Sequence, residues 1–288
     1  MTLREYLDIW LQTYVNPFRR PKTVECYRRA ITSLPAELAD MELQQLDSLR
    51  LQCAINNQAM AFPRAAQLTF ATLHVALAKA VKLRMLPYSP MDGCDKPTHQ
   101  PKRTNILTQS QLQAYRTEAR KSDCWPLLML MATLGLRRGE ALGVCWTDIS
   151  GGVLRVQHQR MRNNGHYELC TLKSKASNRS LTLAEPIRAE LCAWPVRGLR
   201  GFLVDTTPEH LAREHANAIK RAKLPHVTPH GLRHSMATAM VATGTPIKVM
   251  QAILGHSDYS LTADLYADHM QDAGYTAQEL ARMCKMIL

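Results

Sequence analysis

Apolar residues recur at helical spacing along the first part of the chain. Leu3, Leu7 and Trp10, for example, fall on one face of a helix, the face that an amphipathic helix buries. Thr23 follows a proline closely and is the expected N-cap of the second helix. Four helices in so short a stretch predict a small all-α domain. These helices are expected at residues 3–14, 21–34, 47–60 and 63–86.

Regular structure is predicted to end after the fourth helix. The segment Tyr88-Ser-Pro-Met-Asp-Gly carries a proline and a glycine, which interrupt helices and strands. Basic residues become frequent immediately afterwards, as expected of a linker between domains. The sequence therefore predicts a helical domain at residues 1–95, a basic linker at 96–106 and a second domain at 107–288.

The second domain changes its periodicity partway along. Its first helix is expected to be capped by Thr108, and residues 125–134 are apolar on all sides, as in a buried helix. Residues 153–183 alternate with a period of two and predict a three-stranded sheet, with strands at 153–158, 167–172 and 179–183. A hairpin turn is expected at Asn163-Asn164-Gly165, between the first two strands. The fold class is therefore α+β, mainly helical with a small antiparallel sheet. Further helices are expected at residues 185–193, 208–222, 230–242, 246–253, 260–267 and 276–288.

Positive charge is in excess in both predicted domains. The chain has 36 Lys and Arg against 24 Asp and Glu, a formal net charge of +12. Residues 1–103 contain 14 basic and 9 acidic residues, and residues 104–288 contain 22 and 15. An anionic partner such as nucleic acid fits this excess. Because the excess is shared, contact through both domains is favoured over binding by a basic tail.

Cysteine usage and hydropathy indicate a protein of the reducing cytoplasm. The eight cysteines are scattered without any Cys-x-x-Cys pair, so neither a disulfide framework nor a cysteine metal site is expected. The N-terminus lacks the apolar core of a signal peptide. The longest mostly apolar run, residues 124–136, is shorter than the roughly 20 residues that a membrane-spanning helix needs.

Several short motifs of the second domain carry residues suited to phosphate chemistry. His230 and Arg233 are three residues apart on a predicted helix, so both can face the same anion. Guanidinium is always charged and can hold two oxygens at once. A tyrosine hydroxyl can attack phosphorus, and its pKa of about 10 makes it a good leaving group in the reverse step. The motifs are Gly135-Leu-Arg-Arg-Gly-Glu140, His230-Gly-Leu-Arg-His234, Leu254-Gly-His256 and the later Tyr266.

This ordered set resembles the tyrosine recombinases of the phage-integrase family. The resemblance implies that Arg137 and Arg233 are the two arginines that clamp the scissile phosphate, with Glu140 orienting Arg137. It further implies that Lys173, in the turn before the third strand, protonates the departing 5′-oxygen. The remaining implied catalytic residues are His230 and His256, which would bind the phosphate, and the nucleophile Tyr266.

Other interpretations of the same residues remain open. His230 and His234, four residues apart, have the spacing of a metal-binding pair, but no third ligand is evident, and His234 is better explained by packing. Lys175 is the alternative to Lys173 as the proton donor, and Tyr259 is the nearest alternative nucleophile. Neither a metal nor another cofactor is therefore expected.

The expected function is that of a site-specific recombinase, an enzyme that cuts and rejoins DNA through a 3′-phosphotyrosine and a four-way Holliday junction. The resemblance implies double-stranded core sites with inverted repeats, a homotetramer on DNA, an accessory DNA-bending or directionality protein, and a location at the bacterial nucleoid in the cytoplasm. Two rival functions remain. Residues 242–257 also resemble a helix-turn-helix, as in a non-catalytic DNA-binding regulator, and a type IB topoisomerase would share the chemistry.

Overall fold

The computed structural model describes residues 1–98, 105–163, 166–172, 174–194 and 201–255. The chain divides into two compact units, residues 1–102 and 103–288. Much of the predicted linker, residues 99–104, lies outside the described residues. Among the helices that are described, none combines the length and the apolar character needed to span a bilayer.

The first unit contains the four predicted long helices. The second of these begins at Pro21, with Arg20 as its N-cap, so the prediction of Thr23 as the cap is wrong. Proline is favoured in the first turn of a helix because that turn does not need its missing N–H. One short helix after Pro35 was not predicted, since four residues are too few to show a period. The helices are α1 (Leu3–Trp10), continued by a π-helical turn (Leu11–Val15), α2 (Pro21–Thr32), α3 (Ala36–Ala39), α4 (Ser48–Ala61) and α5 (Pro63–Lys82).

The core of the first unit forms where α5 packs against α2 and α4. Leu3, Leu7 and Trp10 of α1 are buried in it, as their spacing predicts. The Tyr6 hydroxyl donates a hydrogen bond of 2.6 Å to the carbonyl of Ala76 in α5, so the polar end of this buried side chain is satisfied.

The second unit is also mainly helical. Thr108 caps its first helix as predicted, because its hydroxyl accepts the N–H of Gln111 while the Gln111 side chain accepts the N–H of Thr108. The second helix is buried along most of its length. The predicted helices at 260–267 and 276–288 lie outside the described residues. The helices are α6 (Gln109–Ala119), α7 (Trp125–Leu134), α8 (Arg138–Leu142), α9 (Glu185–Cys192), α10 (Pro208–Arg221), α11 (Pro229–Ala242) and α12 (Ile247–Leu254).

The strands of this unit are antiparallel, but the prediction of one three-stranded sheet is wrong. Within the described residues they form two sheets, one in which the second strand pairs with the first and the fifth, and a separate hairpin of the third and fourth. The predicted strand at 153–158 is interrupted at Gln157, because its apolar alternation ends at Val156 and the polar residues that follow form a strand of their own. The strands are β1 (Ile149–Ser150), β2 (Val153–Val156), β3 (His158–Asn163), β4 (His166–Thr171) and β5 (Arg179–Thr182).

The register of β3 and β4 confirms a hairpin at the predicted turn, but the strand that enters the turn is β3, which was not predicted. Asn163 pairs with His166, which leaves residues 164–165 between the strands and outside the described residues.

Candidate active site

Arg137 lies in the short connection between α7 and α8. The helix α7 ends at Leu134 and is followed by Gly135, whose φ of +64° is the left-handed conformation that glycine adopts most readily at a helix end. A Cβ atom at Gly135 would lie 2.7 Å from Cδ2 of Leu254, so a larger residue there would force the Leu254 side chain to move. Leu136 is fully buried, and Arg137 is the extended N-cap of α8. The backbone of Arg137 is therefore held between two fixed helices.

Glu140 is a buried carboxylate that binds two arginines. Its side chain is 2% exposed. One oxygen accepts Nη1 of Arg137 at 2.7 Å, and the other accepts the backbone N–H of Arg137 at 3.0 Å and Nη2 of Arg179 at 2.9 Å. Burial alone would raise the pKa of Glu140, but the bonds and charges of Arg179 and Arg137 hold that pKa below its ordinary value. The group is thus a carboxylate at neutral pH.

Arg233 is buried within α11 and binds two backbone carbonyls. Its Nη1 donates to Gly135 and its Nη2 to Leu254, both at 2.6 Å. Burial, together with the positive charge of Arg137, lowers the pKa of Arg233 to about 9. The side chain therefore remains a cation at neutral pH.

Three guanidinium groups meet at the C-terminal end of α12. The last carbonyls of a helix have no partner within it, and this end carries partial negative charge. Here the carbonyl of Ile253 accepts Nε of Arg179 at 2.6 Å, that of Leu254 accepts Arg233, and that of Gly255 accepts Nη2 of Arg137 at 3.2 Å. Gly255 has φ +66°, and a Cβ there would lie 3.0 Å from Nη1 of Arg179. The residue after this cluster is His256.

His230 and His234 pack against each other on α11, with ring centroids 4.7 Å apart in an edge-on arrangement. His230 keeps an exposed edge. Desolvation by the surrounding atoms, with the charges of His234, Arg233 and Arg137, lowers the pKa of His230 to about 4. The imidazole is therefore neutral at physiological pH.

A group of potential metal ligands lies elsewhere in the second unit. Within the described ranges, it consists of Asp123, Cys124 and His210, and it includes neither His230 nor His234. These side chains already bind protein groups, because His210 contacts the Asp123 carboxylate at 2.9 Å and accepts from Arg213. Burial raises the pKa of the Cys124 thiol to about 12, which disfavours the thiolate that a metal requires.

The structure thus brings Arg137, Glu140 and Arg233 together and places His230 near enough for the charges of Arg233 and Arg137 to act on its pKa. The other proposed catalytic residues lie outside the described residues. They are Lys173, His256 and Tyr266.

Arg179 is a member of this cluster to which the sequence reasoning gave no role. It is 9% exposed and begins β5, where it shares the inward-facing side with Leu181. A signal was present in the sequence, since residues two apart in a strand face the same side. A charged residue in register with buried leucines rarely occurs unless it has a partner.

Comparisons with known proteins agree with the geometry. The model of the phage integrase family matches residues 200–272. The tyrosine recombinase XerC-like protein of Caldanaerobacter subterraneus is 26% identical over an alignment covering 92% of this chain and 79% of the relative. Tyrosine recombinase XerC of Pseudomonas aeruginosa is 28% identical, covering 83% of this chain and 82% of the relative.

Solved structures share the fold over most of the chain. The Tn1549 transposon integrase, solved in complex with a circular intermediate DNA, has a TM-score of 0.82 at 19% identity and covers both chains completely. A lambda integrase tetramer bound to a Holliday junction has a TM-score of 0.73 at 18% identity, covering 93% of this chain and 78% of that one. The chain is thus similar to tyrosine recombinases along most of its length and to the phage integrase family at residues 200–272.

Proposed function

We propose that the protein is a site-specific DNA recombinase that cuts and rejoins DNA through a covalent 3′-phosphotyrosine. One observation carries the proposal. Arg137 and Arg233 are anchored side by side on the carbonyls of Gly255 and Leu254, directly before His256, and Tyr266 follows His256 by ten residues. This arrangement supports a phosphate site at the end of α12 that is lined by fixed cations.

The proposed reaction needs neither metal nor nucleotide. The Tyr266 hydroxyl attacks phosphorus while its proton passes to His230, which the lowered pKa keeps neutral. The bond from phosphorus to the 5′-oxygen breaks, and Lys173 protonates that oxygen. Arg137, Arg233 and His256 hold the non-bridging oxygens as their charge is redistributed. The freed 5′-hydroxyl of a partner strand then attacks the phosphotyrosine and releases Tyr266.

The proposed assembly is a tetramer on two duplexes, each with an inverted repeat. The helical unit, residues 1–102, and the catalytic unit would both contact a core site, as the shared positive charge favours. Strand exchange in two steps through a Holliday junction requires four active protomers. The known lambda integrase tetramer on such a junction supports this arrangement. An accessory DNA-bending protein is a further expected partner.

The nucleophile gives the decisive experiment. A duplex that binds the full chain is selected from a randomised library, nicked near the cleavage site and incubated with protein. Wild type should form a protein–DNA adduct that survives denaturant, with or without EDTA. Tyr266→Phe should bind this duplex with wild-type affinity and form no adduct, because only the hydroxyl is removed. Tyr259→Phe is the matched control and should form the adduct normally.

Each alternative has its own outcome in this assay. Binding by wild type with no adduct would favour the DNA-binding regulator. Cleavage by Tyr266→Phe, or cleavage that needs a divalent metal, would contradict the recombinase mechanism. An adduct that only relaxes supercoiled DNA, without exchanging strands between two selected duplexes, would favour a type IB topoisomerase.

The proton donor is tested with a 5′-bridging phosphorothiolate, whose sulfur leaves without needing a proton. Lys173→Ala should cleave the ordinary duplex slowly and the phosphorothiolate duplex at close to the wild-type rate. Lys175→Ala should cleave both normally. If Lys175→Ala instead shows the rescue, Lys175 is the proton donor.

A further inference from the structure

The buried guanidinium of Arg179 joins three parts of the proposed active site. Its Nη2 binds Glu140, its Nε binds the carbonyl of Ile253 at the end of α12, and its Nη1 binds the carbonyl of Ser177 at 3.0 Å. Ser177 lies in the segment between Lys173 and β5, which is closed by a bond from the Ser177 N–H to the Ser174 carbonyl. One side chain therefore contacts the partner of Arg137, the helix before His256 and the segment after Lys173.

From these contacts we propose that Arg179 is a positioning residue for DNA cleavage. It sets the arginine clamp, the segment after Lys173 and the end of α12 in a fixed relation to one another. The inference rests on the proposed recombinase function. Arg179 is itself 9% exposed with three of its nitrogens bound to protein, so its effect on the phosphate passes through Glu140 and through the end of α12.

Lysine cannot replace arginine in this role. A guanidinium is planar and offers five N–H donors in a fixed fork, so it can hold acceptors that lie in different directions. An ammonium keeps the positive charge that Glu140 needs, but it is a single point on a flexible stem. Arg179→Lys therefore preserves the neutralisation of Glu140 and removes the geometric link to Ile253 and Ser177.

Arg160 supplies a matched control. Like Arg179, Arg160 is 9% exposed and lies on a strand of the second unit, β3. Its Nη1 donates to Asp205 at 2.7 Å and to the carbonyl of Thr206 at 3.1 Å, while its guanidinium lies 4.6 Å from the ring centroid of Phe202. Arg160→Lys thus imposes a comparable change on a buried arginine whose side chain binds other partners.

The experiment measures adduct formation on the selected, nicked duplex at saturating full-length protein, together with the dissociation constant. It is run at a temperature at which circular dichroism shows every variant folded. Arg179→Lys should form the adduct about 100-fold more slowly than wild type, the scale expected when reacting groups are misplaced by about 1 Å. Its dissociation constant should stay within about threefold of wild type, and Arg160→Lys should react at the wild-type rate.

A double-mutant cycle tests whether Arg179 acts through Glu140. If it does, the loss in rate for Arg179→Lys combined with Glu140→Gln should be far smaller than the product of the two single losses. Losses that multiply would overturn the inference, as would equal rates for Arg179→Lys and wild type or an equal loss in Arg160→Lys. A wild-type protein that forms no adduct would instead overturn the proposed function and this inference with it.

Discussion

Replacing Glu140 with glutamine should destabilise the second unit strongly. The substitution keeps the shape of the side chain and removes its charge, which leaves Arg179 as a buried cation without its carboxylate. Breaking a buried ion pair in this way costs about 3–5 kcal/mol. The pair with Arg137 adds at most about 1 kcal/mol, since that side chain is 37% exposed. Glutamine retains a carbonyl oxygen that can accept one hydrogen bond, worth about 1 kcal/mol.

The net expectation is a loss of about 3 kcal/mol at pH 7. Urea denaturation followed by circular dichroism measures it, and with a slope of about 2 kcal/mol per molar the midpoint should fall by about 1.5 M. The difference in stability between wild type and Glu140→Gln should shrink as the pH falls. Because the folded protein holds the pKa of Glu140 below its unfolded value, the carboxylate stabilises the fold above that unfolded pKa. Its contribution is lost as the pH falls through the folded pKa, so wild type and variant should converge in acid.

Asp205→Asn is the matched control, because Asp205 also pairs with a buried arginine but is itself 24% exposed. Its loss should be smaller, about 1 kcal/mol. A Glu140→Gln midpoint within about 0.3 M of wild type at pH 7, on the slope used above, would refute the reasoning. Such a result would mean that the cost of burying the charges of Glu140 and Arg179 cancels the attraction between them.

Three further predictions concern the fold and the binding of DNA. Gly135→Ala should lower the free energy of unfolding by about 2–4 kcal/mol in the same urea assay, because of backbone strain and contact with Leu254. Gly151 has φ +58° and no atom close to the position of a Cβ, so Gly151→Ala should lose only the strain, about 1–2 kcal/mol. Burial lowers the pKa of His215 in the folded protein, so the free energy of unfolding should fall as the pH drops below about 6.5. His215→Gln should flatten this dependence, as urea midpoints measured from pH 7 to pH 5 can show. The affinity of the full chain for the selected duplex should fall at least about 1,000-fold between 50 and 200 mM salt, and residues 1–102 alone should bind far more weakly, as fluorescence anisotropy can measure.

The longer helices were predictable because each of them is long enough to show its own period. Leu3, Leu7 and Trp10 are buried as their spacing requires, and Thr108 forms the expected cap. The strand β3 was missed because the residues from His158 to Asn163 are mostly polar, so alternation gives no signal there. Its pairing with β4 depends on the hairpin register, which involves contacts rather than a pattern along one strand.

The arginines of the proposed active site show the same limit more sharply. The resemblance to tyrosine recombinases implied roles for Arg137 and Arg233 but not the backbone carbonyls that fix them. The acceptor of Arg137, the carbonyl of Gly255, lies 118 residues away along the chain, and the acceptor of Arg233, the carbonyl of Leu254, lies 21 residues away. No local pattern indicates which backbone oxygen a guanidinium will meet. Arg179 was missed for this reason, although its inward position in β5 marked it as a charge in need of a partner.

Because arginines from three distant segments cap α12, the last turn of this helix depends on the rest of the unit. Helix ends normally fray and exchange their amide hydrogens early. Here the end of α12 should exchange only when the contacts to Arg137, Arg179 and Arg233 open together. Hydrogen exchange at residues 251–255 thus offers a measure of active-site integrity that needs no DNA. Substituting one of these arginines would also loosen the end of α12. Tyr266→Phe is therefore the better choice when an inactive but intact protein is wanted for trapping complexes.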